Sequence, residues 1–280
     1  MIRQLRYVNS RGREISFLAD KGPLLLGKTD IFDMERDYSA IGGTIVGFDA
    51  GIREASLAVL MREGDAGLHD RFVDVVSYDL AVGRPGRLWA GKCWLRCWIS
   101  GFELSEWGYY DSMCTWDCTV LTDRPAWVRE ETVTLTARDD LEIGGLDYPH
   151  DYPHDYLYSA GASVTLTNPY SLPAKCDIAV AGPCRHPYLI VGANRYQVLE
   201  DVDAGQLLLI RGFGGDGKRD IVVRHRDGTE RSVFAKGVRD PRNGADVFAE
   251  IPPGKSVASW SGSYNTELKL YEERTSPCWA

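Results

Sequence analysis

The sequence has no long apolar run and no apolar leader. No stretch of about 18 apolar residues occurs, so neither a transmembrane helix nor membrane insertion is expected. Residues 1–7 alternate like a strand and lack the continuous apolar core of a signal peptide. These absences predict a chain that is made in the cytoplasm and stays there until it is assembled into something larger.

Motifs for nucleophilic, zinc-dependent and phosphate-binding chemistry are also missing. The chain has no G-x-S-x-G, no H-E-x-x-H and no Walker-type loop. Its glycine-rich segment at residues 212–217 lies between two predicted strands rather than before a helix, which favours a hairpin over a phosphate site. Asp and Glu are abundant, and no pair of them stands out as a glycosidase pair. We therefore expect neither enzymatic activity nor a bound cofactor.

The charge balance argues against nucleic-acid partners. The formal net charge is −8, whereas phosphate contacts need clustered Lys and Arg. The most basic stretch, residues 219–231, alternates Arg with Asp and Glu, which is typical of a solvated hairpin. No sequence-specific nucleic-acid binding is expected.

The composition indicates a β-rich globular protein in two parts. A length of 280 residues suits two domains, and 29 glycines and 13 prolines suit short strands and turns. A tandem repeat, DYPHDYPHDY, occupies residues 147–156, and its prolines disfavour a helix. We predict a first domain at residues 1–142, an extended connector at residues 143–158 and a second domain at residues 159–280.

The first domain is predicted to be a β-sandwich or split barrel with one helix. Apolar residues at helical spacing predict the helix over residues 68–82, ended by Gly83 and Pro85. This helix should lie against a sheet face, and a long hairpin should follow it. The candidate strands are residues 5–9, 14–18, 43–49 and 53–62, and the hairpin strands are residues 91–104 and 109–122.

The hairpin region holds most of the tryptophans of the chain. Aromatic residues on strands usually pack in the core or on the sheet surface, whereas Trp is enriched at subunit interfaces. Both interpretations stay open, because so many large rings exceed what one small core needs. The tryptophans are Trp89, Trp94, Trp98, Trp107, Trp116 and Trp127. The candidate interface residues are Trp94, Trp98, Trp107, Trp116, Leu68 and Phe72.

The second half alternates short strands with turn residues, which predicts a β-sandwich or jelly roll. Asp227-Gly228 between two alternating strands is a strong hairpin signal. The candidate strands are residues 162–167, 175–181, 188–191, 196–200, 206–211, 220–225, 230–234, 247–251, 256–260 and 267–272.

Four of the seven cysteines lie on the predicted hairpin. A turn centred between residues 105 and 106 would place Cys93 opposite Cys118 and Cys97 opposite Cys114, at Cα separations of about 4.5–5.5 Å that allow disulfides. Pairs four residues apart on a strand are about 13 Å distant, so one zinc ion cannot bind all four. A cytosolic chain favours reduced, buried thiols. No ligand spacing is found for Cys176, Cys184 and Cys278.

The histidines of the tandem repeat do not predict a metal site. His150 and His154 are four residues apart, a spacing that shares one face of a helix. The prolines exclude that helix, and on an extended segment the two rings lie about 12 Å apart. No metal is therefore expected.

Several segments occur in an order that resembles one known family. A strand runs into a D-x-P-x-W turn, the tyrosine- and proline-rich connector follows, and hairpins and turns of the second half succeed it. These segments are residues 120–127, 147–156, 168–169, 182–190, 207–210 and 253–254, with closing strands that end at Tyr271. Over nearly its full length, the chain resembles the distal tail proteins of long, non-contractile-tailed phages, the siphovirus tail component family.

The resemblance implies a structural virion protein. Members form a six-membered ring through the first domain, between the tail tube and the tail-tip or baseplate machinery, so a homohexamer is implied. The implied partners are the tail tube protein, the tape measure protein, a tail-associated tip protein and a receptor-binding protein. The implied location is the virion tail tip, reached after assembly in the host cytoplasm. The second domain is implied to be a galectin-like β-sandwich.

Two other functions stay open. A carbohydrate-binding module would bind cell-wall glycans by stacking rings of the second domain on sugars. Its candidate contacts are Tyr188, Tyr196, Trp260 and Tyr264. A glycoside hydrolase of sandwich type would need a pair of catalytic carboxylates.

Overall fold

The protein, described as a computed structural model, forms two compact units. The structure describes residues 4–18, 24–33, 36–49, 51–62, 66–108, 113–137, 162–214 and 218–278. Unit 1 comprises Met1–Arg129 and Glu273–Ala280, and unit 2 comprises Glu130–Glu272. The chain thus leaves unit 1 and returns to it, which the sequence-based boundaries did not anticipate. The predicted connector at residues 143–158 lies outside the described residues.

Unit 1 contains the N-terminal strands, the helix and the long hairpin. Its elements are β1 (Gln4–Val8), β2 (Glu14–Leu18), β3 (Leu24–Thr29), β4 (Asp37–Ile41), β5 (Thr44–Asp49), β6 (Arg53–Arg62), α1 (Ala66–Val82), β7 (Gly86–Ala90), β8 (Cys93–Gly108) and β9 (Met113–Thr122). A further strand, β10 (Trp127–Leu135), begins in unit 1, where Trp127 pairs with Leu95 of β8.

Seven strands of unit 1 close into a barrel. Their order is β8–β7–β1–β2–β3–β6–β9, and β9 pairs again with β8. The β2–β3 pair is parallel, at Leu18 and Leu25, while the other pairs are antiparallel. Closure removes the exposed edges that an open sheet would present.

Helix α1 covers the barrel with one apolar face, as its spacing predicts. Phe72 packs edge-on against Phe17 of β2 and Phe102 of β8, with ring centroids 5.8 and 5.2 Å apart. Gly83 ends the helix at a φ of 64°, the left-handed conformation that favours glycine at this position.

The register of the long hairpin differs from the prediction. Strand β8 continues past residue 105, so Cys118 lies opposite Phe102 and Cys114 lies opposite Trp107. Two register irregularities, between Ile99 and Gly101 and between Leu104 and Glu106, shift the pairing further. The predicted pairing of Cys93 with Cys118 and of Cys97 with Cys114 is therefore wrong.

Unit 2 is a β-sandwich. Its strands are β11 (Ala162–Asn168), β12 (Lys175–Ala181), β13 (Tyr188–Val191), β14 (Asn194–Gln197), β15 (Leu207–Arg211), β16 (Asp220–Arg224), β17 (Glu230–Ser232), β18 (Arg239–Asp240), β19 (Ala245–Asp246), β20 (Gly254–Trp260) and β21 (Thr266–Arg274), whose last two residues belong to unit 1. Short helical turns occupy Phe234–Lys236 and Pro241–Asn243.

Two sheets of unit 2 share one core. Their orders are β17–β16–β15–β12–β21 and β11–β20–β13–β14, and alternate side chains such as Ile178 and Ala258 are buried between them. The predicted strand at residues 247–251 is wrong. There Phe248 N donates to Asp246 Oδ1 in a turn, and only Ile251 makes a β-bridge, to Ala174. The prediction of a mainly β chain with a barrel-like first domain and a β-sandwich is confirmed.

Candidate assembly surface

The most exposed apolar surface of unit 1 is a hairpin that lies apart from the barrel sheet. We call β4, β5 and the nearby Ile52 the apolar hairpin. Tyr38 of β4 and Phe48 of β5 are a directly opposed pair, and they are 65% and 67% exposed. Four more large apolar side chains are at least half exposed: Ile41, Ile45, Val46 and Ile52. Large apolar side chains exposed together on one hairpin are typical of an interaction site.

The local sequence explains why this hairpin forms. Ile41 pairs with Thr44 across a two-residue turn, Gly42-Gly43, whose φ angles are 58° and 83°. A type I′ turn requires positive φ at both central residues, and glycine adopts it without strain. In the strand order, β4 and β5 pair only with each other among the described strands. An isolated two-stranded sheet is marginally stable in water, so a covering partner would stabilise it.

Two further apolar side chains are exposed at the end of α1. Leu80 and Val82 are more than two fifths exposed, in the last turn before Gly83. The helix thus buries one stripe, including Phe72 and Val76, and leaves apolar side chains uncovered elsewhere. A head-to-tail contact between copies needs two different surfaces on one unit, and the apolar hairpin and the end of α1 are candidates for them.

Two of the predicted interface residues are buried within their own unit. Phe72 is fully buried between Phe17 and Phe102, and Trp94 is 2% exposed beneath the guanidinium of Arg87. Neither ring is free to contact another subunit, so these two assignments are corrected. The excess of tryptophan belongs largely to the barrel itself, since Trp127 is also fully buried and stacks on Phe32.

The other predicted interface residues keep some exposure. Leu68 and Trp116 are partly buried against the core of unit 1, and Trp98 is partly exposed beside Arg96. The ring of Trp116 lies 4.8 Å from that of His69. Trp107 falls on β8, and its side chain lies outside the described residues.

Three of the four predicted sugar contacts are core residues of unit 2. Tyr196 donates to Ala249 O, Trp260 Nε1 donates to Tyr264 O, and the Tyr264 hydroxyl donates to Tyr188 O. All three rings are at most 5% exposed, which leaves no face for stacking on a sugar, so these assignments are corrected. Tyr188 is partly exposed, with the Arg195 guanidinium 4.5 Å from its ring centre.

The cysteines are free thiols in largely apolar surroundings. Cys93, Cys97, Cys118 and Cys176 are buried, and Cys114, Cys184 and Cys278 are partly exposed. Burial raises the pKa of the Cys118 thiol to about 12, which keeps it protonated and unreactive at neutral pH. The Cys93 thiol is in contact with the Cys278 thiol.

A buried carboxylate holds the first turn of unit 1 to α1. Asp79 is fully buried, and its Oδ2 accepts from the Tyr7 hydroxyl at 2.6 Å. Its Oδ1 accepts from Ser10 N at 2.8 Å and from Ser10 Oγ. Asn9 adds a bond from its Nδ2 to Val75 O. These hydrogen bonds join residues 7–10 at the end of β1 to α1, and the network therefore fixes the barrel to the helix.

A partly buried carboxyl, Asp177, stabilises unit 2. Its Oδ1 accepts from Phe213 N at 2.9 Å, and its Oδ2 accepts from the Tyr271 hydroxyl at 3.0 Å. Burial raises the pKa of this carboxyl above its ordinary value, although these hydrogen bonds oppose the shift. A proton is thus held more tightly in the folded state than in the unfolded state. The resulting stability is present at acid pH and is lost as the pH rises through the folded-state pKa.

Replacing Asp177 by Asn is therefore expected to raise the melting temperature more at neutral pH than at acid pH. Asparagine can still accept from Phe213 N and donate to the Tyr271 oxygen, and it carries no charge to bury. Thermal unfolding of Asp177→Asn and the unaltered protein, compared at about pH 4 and about pH 7, should show a melting-temperature difference that grows with pH. The exposed Glu250→Gln is the control for changing a carboxyl to an amide elsewhere in unit 2. A melting-temperature difference for Asp177→Asn that does not change with pH would contradict the raised pKa.

An open cleft of about 460 Å³ in unit 1 is acidic. Its lining includes Asp30, Asp33, Asp37 and Glu54, together with Arg53. Asp30 Oδ1 accepts from Ser56 N, and Asp30 O accepts from Arg53. These two hydrogen bonds hold the segment at Asp30 to β6. Within the described ranges, no group of three His, Cys, Asp or Glu residues is placed to hold a metal ion.

The length and hydropathy of a helix decide whether it can span a membrane. Of the helices formed by the described residues, none is both long enough and apolar enough to span a membrane.

The fold is similar to that of phage baseplate and hub proteins. One chain of a phage P2 baseplate, in its activated conformation with calcium, matches 99% of this chain and 100% of its own length, with a TM-score of 0.60 and 8% identity. A chain of the same baseplate with strontium gives a TM-score of 0.59 at 8% identity, with the same coverage. The SPP1 Dit protein, described as a paradigm of the hub adsorption apparatus in phages that infect Gram-positive bacteria, matches 96% of this chain and 98% of its own, with a TM-score of 0.51 and 10% identity.

These likenesses establish a shared fold. No protein-family model and no curated protein sequence matches the chain. At about one identical residue in ten, the structural matches show that the arrangement of strands is common, while the side chains that carry function must be judged from this chain itself.

Proposed function

We propose that this chain is a structural virion protein whose copies form a hub ring, a homohexamer, in the tail of a long, non-contractile-tailed phage. The observation that carries the proposal is the apolar hairpin. A folded monomer gains nothing from exposing five large apolar side chains on one small sheet, including the opposed pair Tyr38 and Phe48, and Ile52 beside it. Such a surface is stabilised when another protein covers it.

We assign the covering partner as a second copy of this chain. Unit 1 offers the apolar hairpin and the exposed end of α1, at Leu80 and Val82, as two different surfaces. When the hairpin of one copy meets the helix end of the next, the contact is head-to-tail, and repeated contacts close a ring if the rotation between copies allows it. The fold likeness to baseplate and hub proteins over nearly the whole chain supports this arrangement.

The ring would serve as a joint between the tail tube and the tail-tip or baseplate assembly. Its proposed neighbours are the tail tube protein, the tape measure protein, a tail-associated tip protein and a receptor-binding protein, and its place is the virion tail tip. A joint needs no reaction chemistry, and we propose that the chain is not an enzyme. The carboxyls of Asp79, which is buried, and Asp177, which is partly buried, fit this proposal, because both accept hydrogen bonds from groups within their own unit.

The state of association of the purified full-length chain tests this proposal. Light scattering coupled to chromatography is expected to give a mass six times that of the single chain, with a sharp peak that persists on dilution. A monomer at the highest soluble concentration would contradict the proposal.

The carbohydrate-binding alternative has less support. Such a module stacks exposed rings on sugars, and three of its four candidate rings are buried in unit 2, which leaves Tyr188. Binding of cell-wall glycans by the full-length chain, lost in Tyr188→Ala, would favour it over the hub proposal.

A further inference from the structure

Two cysteines that are far apart in the sequence meet where the chain returns to unit 1. Cys93 is the first residue of β8, and Cys278 lies in the segment Glu273–Ala280 that follows unit 2. Their Sγ atoms are 3.0 Å apart, and Cys278 N donates to Cys93 Sγ at 3.3 Å. The hydrogen bond from the Cys278 backbone N–H to the Cys93 sulfur fixes the position of Cys278, so the two sulfur atoms are held in contact.

The surroundings show that this contact is part of a packed site. Cys93 is fully buried, and Cys278 packs against the apolar core of unit 1. Glu273, at the start of the returning segment, accepts from Arg124 Nε at 2.6 Å. Cys93 also lies opposite Arg129, the last residue before the chain enters unit 2. Both cysteines thus belong to unit 1, and the pair joins β8 to the returning segment.

We propose that Cys93 and Cys278 form a disulfide site, closed by a small-molecule disulfide, which fastens the returning segment to β8. A disulfide bond is about 2.05 Å long, so the sulfur atoms need to approach by only about 1 Å. The pair is set apart from the other five cysteines, because it combines sulfur contact with a backbone bond that holds one partner.

The bond forms in two exchange steps. Cys278, the more exposed thiol, loses its proton to solvent, and its thiolate attacks one sulfur of the small disulfide RSSR. The RS–SR bond breaks, one RS⁻ leaves, and Cys278 is joined to the remaining SR group. Cys93 then loses its proton and attacks the Cys278 sulfur, which releases the second RS⁻. Two protein thiols are oxidised by two electrons, and RSSR is reduced to two RSH.

The second step should depend on pH. Burial raises the pKa of the Cys93 thiol to about 11, with the hydrogen bond to Cys278 adding to the shift. Since only the thiolate attacks, bond closure should speed up as the pH rises.

The timing of this reaction follows from the proposed function, on which it rests. A virion protein is assembled in the reducing cytosol, where the pair stays open, and it meets oxidising conditions when the particle is released. The bond would then close the long loop that contains all of unit 2, which restricts the unfolded chain. Formation of the bond itself requires only the monomer and an oxidant.

Mass spectrometry of the full-length protein tests the site. The protein is treated with oxidised glutathione, unfolded in denaturant with N-ethylmaleimide so that every free thiol is blocked, and digested with trypsin without reduction. Cleavage after Lys92, Arg96 and Arg274 should give residues 93–96 joined to residues 275–280, with two fewer blocked thiols than the seven of the reduced chain. The melting temperature should rise on the order of 5–10 °C and fall back when the bond is reduced.

Variants and outcomes separate this site from the proposed function. Cys278→Ser should lose the linked peptide and the melting-temperature rise, whereas Cys184→Ser, another partly exposed cysteine, should keep both. Seven blocked thiols after oxidation of the folded chain, or a bond between other cysteines, would overturn the proposal. A linked peptide in a chain that stays monomeric would instead count against the hub ring alone.

Discussion

Replacing Tyr38 and Phe48 by serine is expected to abolish self-association of the purified chain. The two side chains form the opposed pair at the base of the apolar hairpin, and both are about two thirds exposed in the single chain. Covering each ring should contribute about 1.5–3 kcal/mol to a contact between copies, so their joint loss should weaken that contact at least 100-fold. Chromatography with light scattering should show monomer where the unaltered chain shows the ring.

The control for this variant removes equally exposed apolar side chains elsewhere. Leu172 and Val257 of unit 2 are 70% and 60% exposed, and their replacement by serine should leave the ring intact. The Leu172→Ser/Val257→Ser chain should also unfold at nearly the same temperature as the unaltered chain, because surface substitutions change stability little. A Tyr38→Ser/Phe48→Ser protein that still forms the ring would show that the apolar hairpin does not make the contact.

The largest loss of stability is expected for Asp79→Ala. The change removes the acceptor of the buried Tyr7 hydroxyl and of the N and Oγ of Ser10, which is exposed. Burial raises the pKa of the Tyr7 hydroxyl well above its ordinary value, so that group remains a proton donor and would be left unsatisfied. Leaving the buried Tyr7 hydroxyl unsatisfied and losing the two hydrogen bonds from Ser10 should together lower the free energy of unfolding by about 3–5 kcal/mol.

Denaturant unfolding followed by tryptophan fluorescence measures this loss. The matched control is Asp74→Ala, an aspartate on the exposed face of the same helix, which should change the free energy of unfolding by less than about 0.5 kcal/mol. Equal effects of the two substitutions would mean that the Asp79 network does not hold the barrel to α1.

Local signals in the sequence predicted the elements that depend on neighbouring residues. The spacing of apolar residues and Gly83 gave α1 nearly to its ends, because both act within one helical turn. Asp227-Gly228 gave the β16–β17 hairpin, where Thr229 N donates to Asp227 Oδ1 and Gly228 has a φ of 85°. These features need no information from distant segments.

Features set by distant segments were not predictable in the same way. Closure of the barrel depends on pairing between β2 and β3 and between β6 and β9, which no local pattern specifies. The cysteine pairing failed because β8 runs three residues past the predicted turn and contains register irregularities. Cys278 could not be linked to Cys93 because the return of the chain to unit 1 leaves no sequence signal.

The candidate assembly surface carried a signal that the predictions passed over. Gly42-Gly43 lies between two alternating stretches, which is a hairpin pattern, but only the second stretch was assigned as a strand. The predicted interface rests on the tryptophans of the long hairpin instead, although Trp94 and Trp127 are buried in their own unit. The residues that matter for contact between copies are those the fold leaves exposed, and exposure became visible only when the barrel was complete.

Negative-stain electron microscopy of the full-length chain is the most direct test of self-assembly through unit 1. Class averages are expected to show closed rings with sixfold symmetry, and the Tyr38→Ser/Phe48→Ser chain imaged alongside should give only small, single particles. Single particles from the unaltered chain at every concentration, or rings that persist in the variant, would contradict assembly through the apolar hairpin.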